Sequence, residues 1–96
     1  MRSYQIDEIG GNCPVQAEGH IGGKTEFYFR ARGAAWSMSV GGKDVVGEPG
    51  WYYSEPYKEF PEAGWMPVEE AKEFIKKSIH RYWKEKFNYT PPAEGG

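Results

Sequence analysis

The residue types that could perform acid–base chemistry are few in this chain, and one pair of them is placed to act together. His20 and Glu26 lie in two stretches of alternating polar and apolar residues, which would pair as a hairpin and bring the two side chains opposite each other. No nucleophile accompanies them, because Cys13 lies in a predicted turn and no serine has the context of a nucleophile elbow. His80 lies a helix away, so the two histidines do not indicate a metal site. We therefore predict that the protein is not an enzyme and holds no metal and no cofactor.

Six aromatic side chains stand between Trp51 and Trp65, among prolines and glycines that interrupt any long regular element. Aromatic side chains on a loop either cover a core or provide contact area for a partner. In one interpretation Trp51, Tyr53 and Trp65 fold over the sheet edge as a lid. In the other, exposed aromatics ringed by glutamates bind a basic protein, and both interpretations can hold for different residues. The predicted partner-binding residues are the anchors Tyr52, Tyr57 and Phe60 and the acids Glu55, Glu59 and Glu62.

A second candidate surface would bind RNA or single-stranded DNA. Tyr28 beside Arg30 on the polar face of a strand could stack on bases and pair with them, as in sheet-surface RNA binders. A basic stripe on the predicted C-terminal helix could add phosphate contacts, although glutamates one turn earlier weaken such a track. Both patterns are also typical of ordinary solvated faces. The alternative nucleic-acid-binding residues are Tyr28, Arg30, Arg32, Lys76, Lys77, His80, Arg81 and Lys84.

Size and composition suit one domain whose core is built largely from aromatic residues. The chain has 96 residues, an aromatic fraction of 17% and a net charge of −2, so its overall charge favours neither nucleic acid nor membrane. A single cysteine excludes an internal disulfide, and no apolar run resembles a signal peptide or a membrane span. These features predict a cytoplasmic protein with one α+β domain over residues 1–90 and a disordered tail over residues 91–96.

Two alternating stretches define a central hairpin. Residues 15–21 and residues 25–32 both carry their apolar side chains at odd positions. Residues opposite each other in an antiparallel pair share a face, so a three-residue loop at 22–24 keeps the faces consistent, whereas a two-residue loop mixes them. In this register Gly19 stands opposite Phe27, whose ring covers the bare backbone. The other predicted pairs are Val15 with Ala31, Ala17 with Phe29, Gln16 with Arg30, Glu18 with Tyr28 and His20 with Glu26.

The rest of the chain predicts further strands and one long helix. Residues 3–9 and 35–40 are strand candidates, and residues 45–53 contain a short further strand or two. Pro67 suits the first position of a helix that Asn88 can end. The predicted fold class is α+β: two layers, with a twisted antiparallel β-meander of four to five strands packed on one C-terminal α-helix. The apolar stripe of that helix is predicted to be Val68, Ala71, Ile75, Ile79 and Tyr82, with Trp83 at its edge.

In its size, its sheet-plus-helix plan and its lack of catalytic residues, the chain resembles small proteins of phages and mobile elements, of which anti-CRISPR proteins are the best-known kind. This resemblance in general build implies a non-catalytic inhibitor that binds the nucleic-acid site of an effector or blocks its assembly. We therefore predict a protein-binding module, a monomer or homodimer, that inhibits a bacterial nucleic-acid-targeting defence complex. The expected partner is a protein with a basic surface and not a membrane. The alternative is a small RNA-binding or single-stranded DNA-binding protein.

Overall fold

A computed structural model of the chain describes residues 3–88, which form a five-stranded antiparallel sheet, a short 3-10 helix and one C-terminal α-helix. The strands pair in sequence order as a meander. The predicted α+β fold, with a twisted antiparallel sheet and one C-terminal helix, is therefore confirmed. The elements are β1 (Tyr4–Gly10), β2 (Val15–Ile21), β3 (Thr25–Arg32), β4 (Ala35–Val40), β5 (Trp51–Pro56), the 3-10 helix (Glu62–Trp65) and α1 (Val68–Phe87).

The central hairpin has the predicted register. Gly19 pairs with Phe27 and Ala17 pairs with Phe29, as the alternating pattern required. Both glycines of the connecting loop have positive φ, which glycine adopts without steric cost. Every second side chain of the three central strands therefore points toward α1, and all of these except Thr25 are buried. These inward-facing residues include Val15, Ala17, Ile21, Phe27, Phe29, Ala31, Trp36, Met38 and Val40.

The first strand contains a bulge that the sequence pattern did not indicate. Its pairing with β2 shifts between Ile6 and Glu8, so Asp7 is an extra residue in β1. In a regular strand Ile6 and Ile9 would point to opposite faces. The bulge instead lets Tyr4, Ile6 and Ile9 all pack against the buried cluster.

The helix is joined to the sheet by large aromatic side chains. The ring of Trp36 on β4 stacks on Phe74 with 4.9 Å between centroids, and Tyr4 on β1 lies 6.2 Å from Trp83. Such rings bury large apolar areas and set the distance between the two layers. The helix ends at Asn88, whose φ of 54° is the left-handed cap that was predicted.

The buried stripe of α1 is rotated relative to the predicted one. Val68 is exposed and Tyr82 only half-buried, whereas Ser78 and Trp83 are buried. Trp83, predicted at the edge of the stripe, lies in the core, where its ring meets Tyr4 of β1. Ser78 tolerates burial because its hydroxyl donates a hydrogen bond to the Phe74 carbonyl at 2.8 Å.

The boundaries of the described chain bear on two further predictions. The helix begins at Val68, so Pro67 is its N-cap residue and not its first helical residue as predicted. The predicted disordered tail, residues 91–96, lies outside the described residues. Within residues 3–88, no helix combines the length and the apolar character needed to cross a membrane.

Candidate functional site

Residues 57–67, which connect β5 to α1, run across one end of the sheet; we call them the aromatic loop. The Ala63 amide donates a hydrogen bond to the Gly33 carbonyl at 3.0 Å, and the Gly64 carbonyl accepts one from the Cys13 amide at 2.7 Å. Gly33 lies in the β3–β4 turn and Cys13 in the β1–β2 turn. The aromatic loop is therefore held by the backbone at two separate turns, and its conformation is fixed by the fold.

Burial in the aromatic loop divides its residues into an inner and an outer set. Ala63, Gly64 and Met66 are buried and hold the backbone against the end of the core. Phe60 and Trp65 point outward, with 78% and 61% of their surface exposed. Two large aromatic rings thus stand in water on a loop whose backbone is hydrogen-bonded to two turns.

The lid interpretation is right that Trp51 and Tyr53 extend the core, although they do so as residues of the edge strand β5, and it is wrong for Trp65. Trp51 and Tyr53 are half-buried and pack against the core cluster. The Trp51 indole also donates a hydrogen bond to Glu85 at 3.0 Å, which ties β5 to α1. Trp65 was predicted to cover the sheet edge with them, yet it is exposed, because the 3-10 helix turns its neighbours Gly64 and Met66 inward instead.

Tyr57 was predicted as an exposed anchor, and that prediction is wrong. Only 7% of its surface is exposed, and its ring meets Phe74 edge to face at 5.8 Å. The Tyr57 amide donates to the Ala34 carbonyl at 2.8 Å, which holds the end of β5 close to the sheet and directs the ring inward. Burial, followed by a hydrogen bond to Glu70, raises the pKa of Tyr57 above its usual value of 10.0.

Glu55 was predicted to contact a partner, but its charge is already compensated within the chain. A carboxylate oxygen of Glu55 lies 2.8 Å from Nζ of Lys77, and the Tyr53 hydroxyl donates a further hydrogen bond to it. The hydrogen bond from Lys77, followed by the one from Tyr53, holds the pKa of Glu55 below its usual range. Lys77, which was predicted to bind nucleic acid, is occupied by the same ion pair.

The Glu55–Lys77 ion pair predicts an acid-dependent loss of stability. Because the folded-state pKa of Glu55 is lowered, its contribution is present above the unfolded carboxyl value of 4.5 and is lost as the pH falls through the folded pKa. Glu55→Gln should therefore lower the free energy of unfolding at neutral pH by about 1 kcal/mol or less, since both groups are partly exposed. This difference should shrink below the unfolded carboxyl pKa.

Urea unfolding at neutral and acid pH measures the effect of this ion pair. Glu59→Gln is the matched control, because Glu59 is an exposed glutamate of the aromatic loop. A gap between wild type and Glu55→Gln that stays constant across the acid range would contradict the assignment.

The basic stripe of α1 is on the far side of the molecule from the open face of the sheet, which is the face that α1 does not cover. The Arg81 guanidinium lies 4.4 Å from the centroid of the Tyr53 ring, and its Nε lies 3.3 Å from Glu85. The His80 ring stacks on Trp83 at 5.7 Å. The predicted nucleic-acid residues therefore form two separate sets: Tyr28, Arg30 and Arg32 on the sheet, and Lys76, Lys77, His80, Arg81 and Lys84 on the helix.

The open face of the sheet carries a second tyrosine that was assigned to the aromatic region. Tyr52 pairs with Ser39, and Ser39 pairs with Tyr28, so the two tyrosines flank one serine on the same face. Ser39 is only 6% exposed although it lies on the open face. The alternation Tyr52-Tyr53-Ser54 indicates that Tyr52 and Tyr53 face opposite sides of the sheet. The register of β5 with β4 could not be predicted, because the connecting segment 41–50 is irregular.

His20 was predicted to form an acid–base pair with Glu26, but its carboxylate partner is Asp7. His20 and Glu26 are paired across the hairpin, as predicted. However, Nδ1 of His20 lies 2.6 Å from one carboxylate oxygen of Asp7, and the Gln5 amide donates to the other at 2.6 Å. The Gln5 hydrogen bond, followed by that of His20, lowers the pKa of Asp7. Asp7 follows Gln5, the cross-strand partner of His20, by two residues, so its carboxylate lies diagonally beside the histidine. His20 also lines an open depression of about 520 Å³ beside the Gly22-Gly23 turn.

Neither metal ligation nor similarity adds a further site. In the described part of the chain, no three His, Cys, Asp or Glu side chains are grouped as ligands for a metal ion. No protein-family model, curated protein or solved structure matches this chain. Its function is therefore argued from its two exposed surfaces, the aromatic loop and the open face.

Proposed function

We propose that this chain is a non-catalytic protein-binding module and that the aromatic loop is its contact surface. One observation carries the proposal: Phe60 and Trp65 are largely exposed on a backbone that is fixed at both sides. Burying such a side chain is worth about 1.5–3 kcal/mol, so a partner that covers both rings gains substantially. Tryptophan is among the residues that dominate binding energy at interfaces, and a rigid loop loses little entropy on binding.

The charge around the two rings favours a basic partner. Residues 57–70 contain four glutamates and one lysine. Glu59 and Glu62 are exposed on either side of Phe60. The single cation, Lys58, lies 5.2 Å from the centroid of the Tyr57 ring. Opposite charges at the rim of an interface speed association and select against wrong partners.

An inhibitor of the anti-CRISPR kind is the function that such a surface would suit. A protein surface that holds nucleic acid is basic, and an aromatic patch with an acidic rim can compete for it. We infer that the chain acts in the cytoplasm and binds a bacterial nucleic-acid-targeting defence complex through Phe60, Trp65, Glu59 and Glu62. Two of the predicted partner-binding residues are left out. Tyr57 is buried, and Glu55 is already paired with Lys77.

Truncation of the two exposed rings tests the proposal. We expect Trp65→Ala to weaken partner binding by about 30-fold or more, which corresponds to the ~2 kcal/mol or more typical of hot-spot residues. Phe60→Ala combined with Trp65→Ala should abolish recovery of the partner from a bacterial lysate while the circular dichroism spectrum is unchanged. The affinity is then measured by calorimetry with the recovered protein.

The matched control for these truncations is Phe87→Ala, because Phe87 is also an exposed aromatic residue but lies at the far end of α1. It should leave recovery unchanged. Glu59→Lys with Glu62→Lys should weaken the same complex and reverse its salt dependence. If the double aromatic variant binds the recovered protein as tightly as the wild type does, the aromatic loop is not the contact surface. The inhibitor function is tested separately, by plating phage on cells that carry a CRISPR complex together with the wild type or the double variant.

A further inference from the structure

The open face of the sheet carries two tyrosines and two arginines in a compact arrangement, which we call the tyrosine–arginine platform: Tyr28, Tyr52, Arg30 and Arg32. The tyrosines are two strands apart, roughly 10 Å, with Ser39 between them. Arg30 and Arg32 follow Tyr28 at every second position of β3 and therefore point to the same face. We propose that this platform is a site for single-stranded nucleic acid, distinct from the aromatic loop.

The chemistry of the platform matches the two components of a single strand. Tyrosine rings stack on the faces of unpaired bases, and this stacking tolerates any base. Guanidinium groups bind phosphates and also stack on planar rings. Between Arg30, Arg32 and Tyr52 lies an open surface depression of about 150 Å³. The hydroxyl of Ser37 lines the same depression.

The two arginines are available for phosphate. Among residues 3–88, neither Arg30 nor Arg32 has an ion-pair partner. By contrast, Lys77 and Arg81 on α1 are paired with Glu55 and Glu85. Free cations on the open face therefore provide charge complementarity to a polyanion, which the helix stripe provides less well.

The open face is electrically divided, which restricts where a strand can lie. The β1–β2 half carries Asp7, Glu8 and Glu18, and Glu26 adds a further acid at the start of β3, whereas the arginines stand near the end of β3. Glu18 pairs directly with Tyr28. A bound strand should therefore place its phosphates at the arginine end and its bases on the tyrosines. A duplex is a poorer ligand because its base faces are already stacked.

Binding of a fluorescent oligo(dT) and of a matched oligo(U), followed by anisotropy at low salt, tests the platform. We expect Tyr52→Ala to weaken binding about ten-fold, within the range for loss of one base–aromatic stack, while Tyr52→Phe keeps it within about two-fold. Tyr52 lies on an edge strand and is 60% exposed, so the variant should fold. Tyr28→Ala should act in the same direction.

The salt dependence distinguishes phosphate contacts from stacking. Two phosphate contacts predict a slope of log K against log salt of about −1.4, and Arg30→Gln should reduce its magnitude by about 0.7. Glu18→Gln removes the acid beside Tyr28, and we expect it to strengthen binding about two- to five-fold. A gain of binding on this substitution would not arise from a loss of folding.

Several outcomes would overturn the proposal. They are no binding of either oligonucleotide at low salt, equal binding of a matched duplex, and equal competition by a poly-glutamate peptide, which would indicate an acidic protein as the occupant. Phe60→Ala with Trp65→Ala should leave oligonucleotide binding unchanged. Failure of the platform and failure of the aromatic loop are therefore distinguishable, because each is tested with its own ligand and its own variants.

Discussion

Gly19→Ala is expected to destabilise the protein more than any other single methyl group added to the sheet. A β-carbon at this position would lie 2.0 Å from the Gln5 carbonyl oxygen and 2.6 Å from the Phe27 ring. The ring is held in the core and the carbonyl belongs to the neighbouring strand, so neither can move without breaking the β1–β2 pairing. We expect a loss at or above the upper end of the ~1–3 kcal/mol usual for overpacking. Urea unfolding with a tryptophan-fluorescence readout measures it.

Gly23→Ala is the control for the effect of adding a methyl group to a glycine. Gly23 has a φ of 89°, and a β-carbon there would meet no atom within 4 Å. Its replacement should cost about 1–2 kcal/mol of backbone strain and nothing from packing. If Gly19→Ala proves no more destabilising than Gly23→Ala, Phe27 does not pack on the Gly19 backbone as described.

The central hairpin could be predicted from the sequence because its alternating pattern admits one consistent register. A shift by one residue would have placed Phe27 and Phe29 on the solvent face, and no arrangement of polar residues compensates for that. The same reasoning placed Met38 opposite Phe29, which the structure confirms. A strongly apolar face decides which side of the sheet each residue occupies, and the length of the connecting loop then sets the register.

The parts of the fold that could not be predicted depend on contacts between distant residues. The bulge at Asp7 has no local signal, yet it brings Ile9 to the same face as Ile6. Trp83 is buried against Tyr4 of β1, so the buried stripe of α1 is rotated relative to the one that periodicity alone indicates. Helical periodicity locates the apolar stripe to within about one residue's rotation, and packing against the sheet then sets the orientation of the helix about its axis.

The candidate surfaces could be predicted only in part, because they too depend on contacts between distant residues. The sequence left the aromatics of residues 51–65 as either a lid on the core or a contact surface, and the division between core and surface depended on the 3-10 helix. Its backbone hydrogen bonds turn Ala63 inward and leave Trp65 outside. Tyr52 was placed with the loop because only the pairing of β5 with β4 shows that it shares a face with Tyr28.

The two proposed surfaces approach each other at the turn between β3 and β4. The Phe60 ring would be 3.4 Å from a β-carbon placed on Gly33, which directly follows Arg32. An effector that holds nucleic acid offers a basic protein surface and an exposed strand side by side. A chain that presents an acid-rimmed aromatic loop next to a platform for single strands would contact both components of such a complex.

Trp36→Ala is expected to remove the centre of the aromatic core. The Trp36 ring lies 5.7 Å from Phe29, 5.8 Å from Tyr53 and 4.9 Å from Phe74, so it contacts β3, β5 and α1 at once. Truncating a buried tryptophan to alanine typically costs about 3–5 kcal/mol, a large part of the ~5–15 kcal/mol that stabilises an ordinary domain. The free energy of unfolding measures the loss, and near-ultraviolet circular dichroism reports whether the aromatic packing survives.

Trp36→Phe separates packing from hydrogen bonding at the same position. Within residues 3–88 the buried Nε1 of Trp36 has no hydrogen-bond partner. An unsatisfied buried donor costs about 1–3 kcal/mol, and phenylalanine removes it while keeping an aromatic ring against Phe74. The gain offsets part of the lost volume, so we expect Trp36→Phe to cost at most about 1.5 kcal/mol, much less than Trp36→Ala. Equal destabilisation by both variants would contradict this assignment and would mean that the indole ring is stabilised through Nε1 in the folded protein.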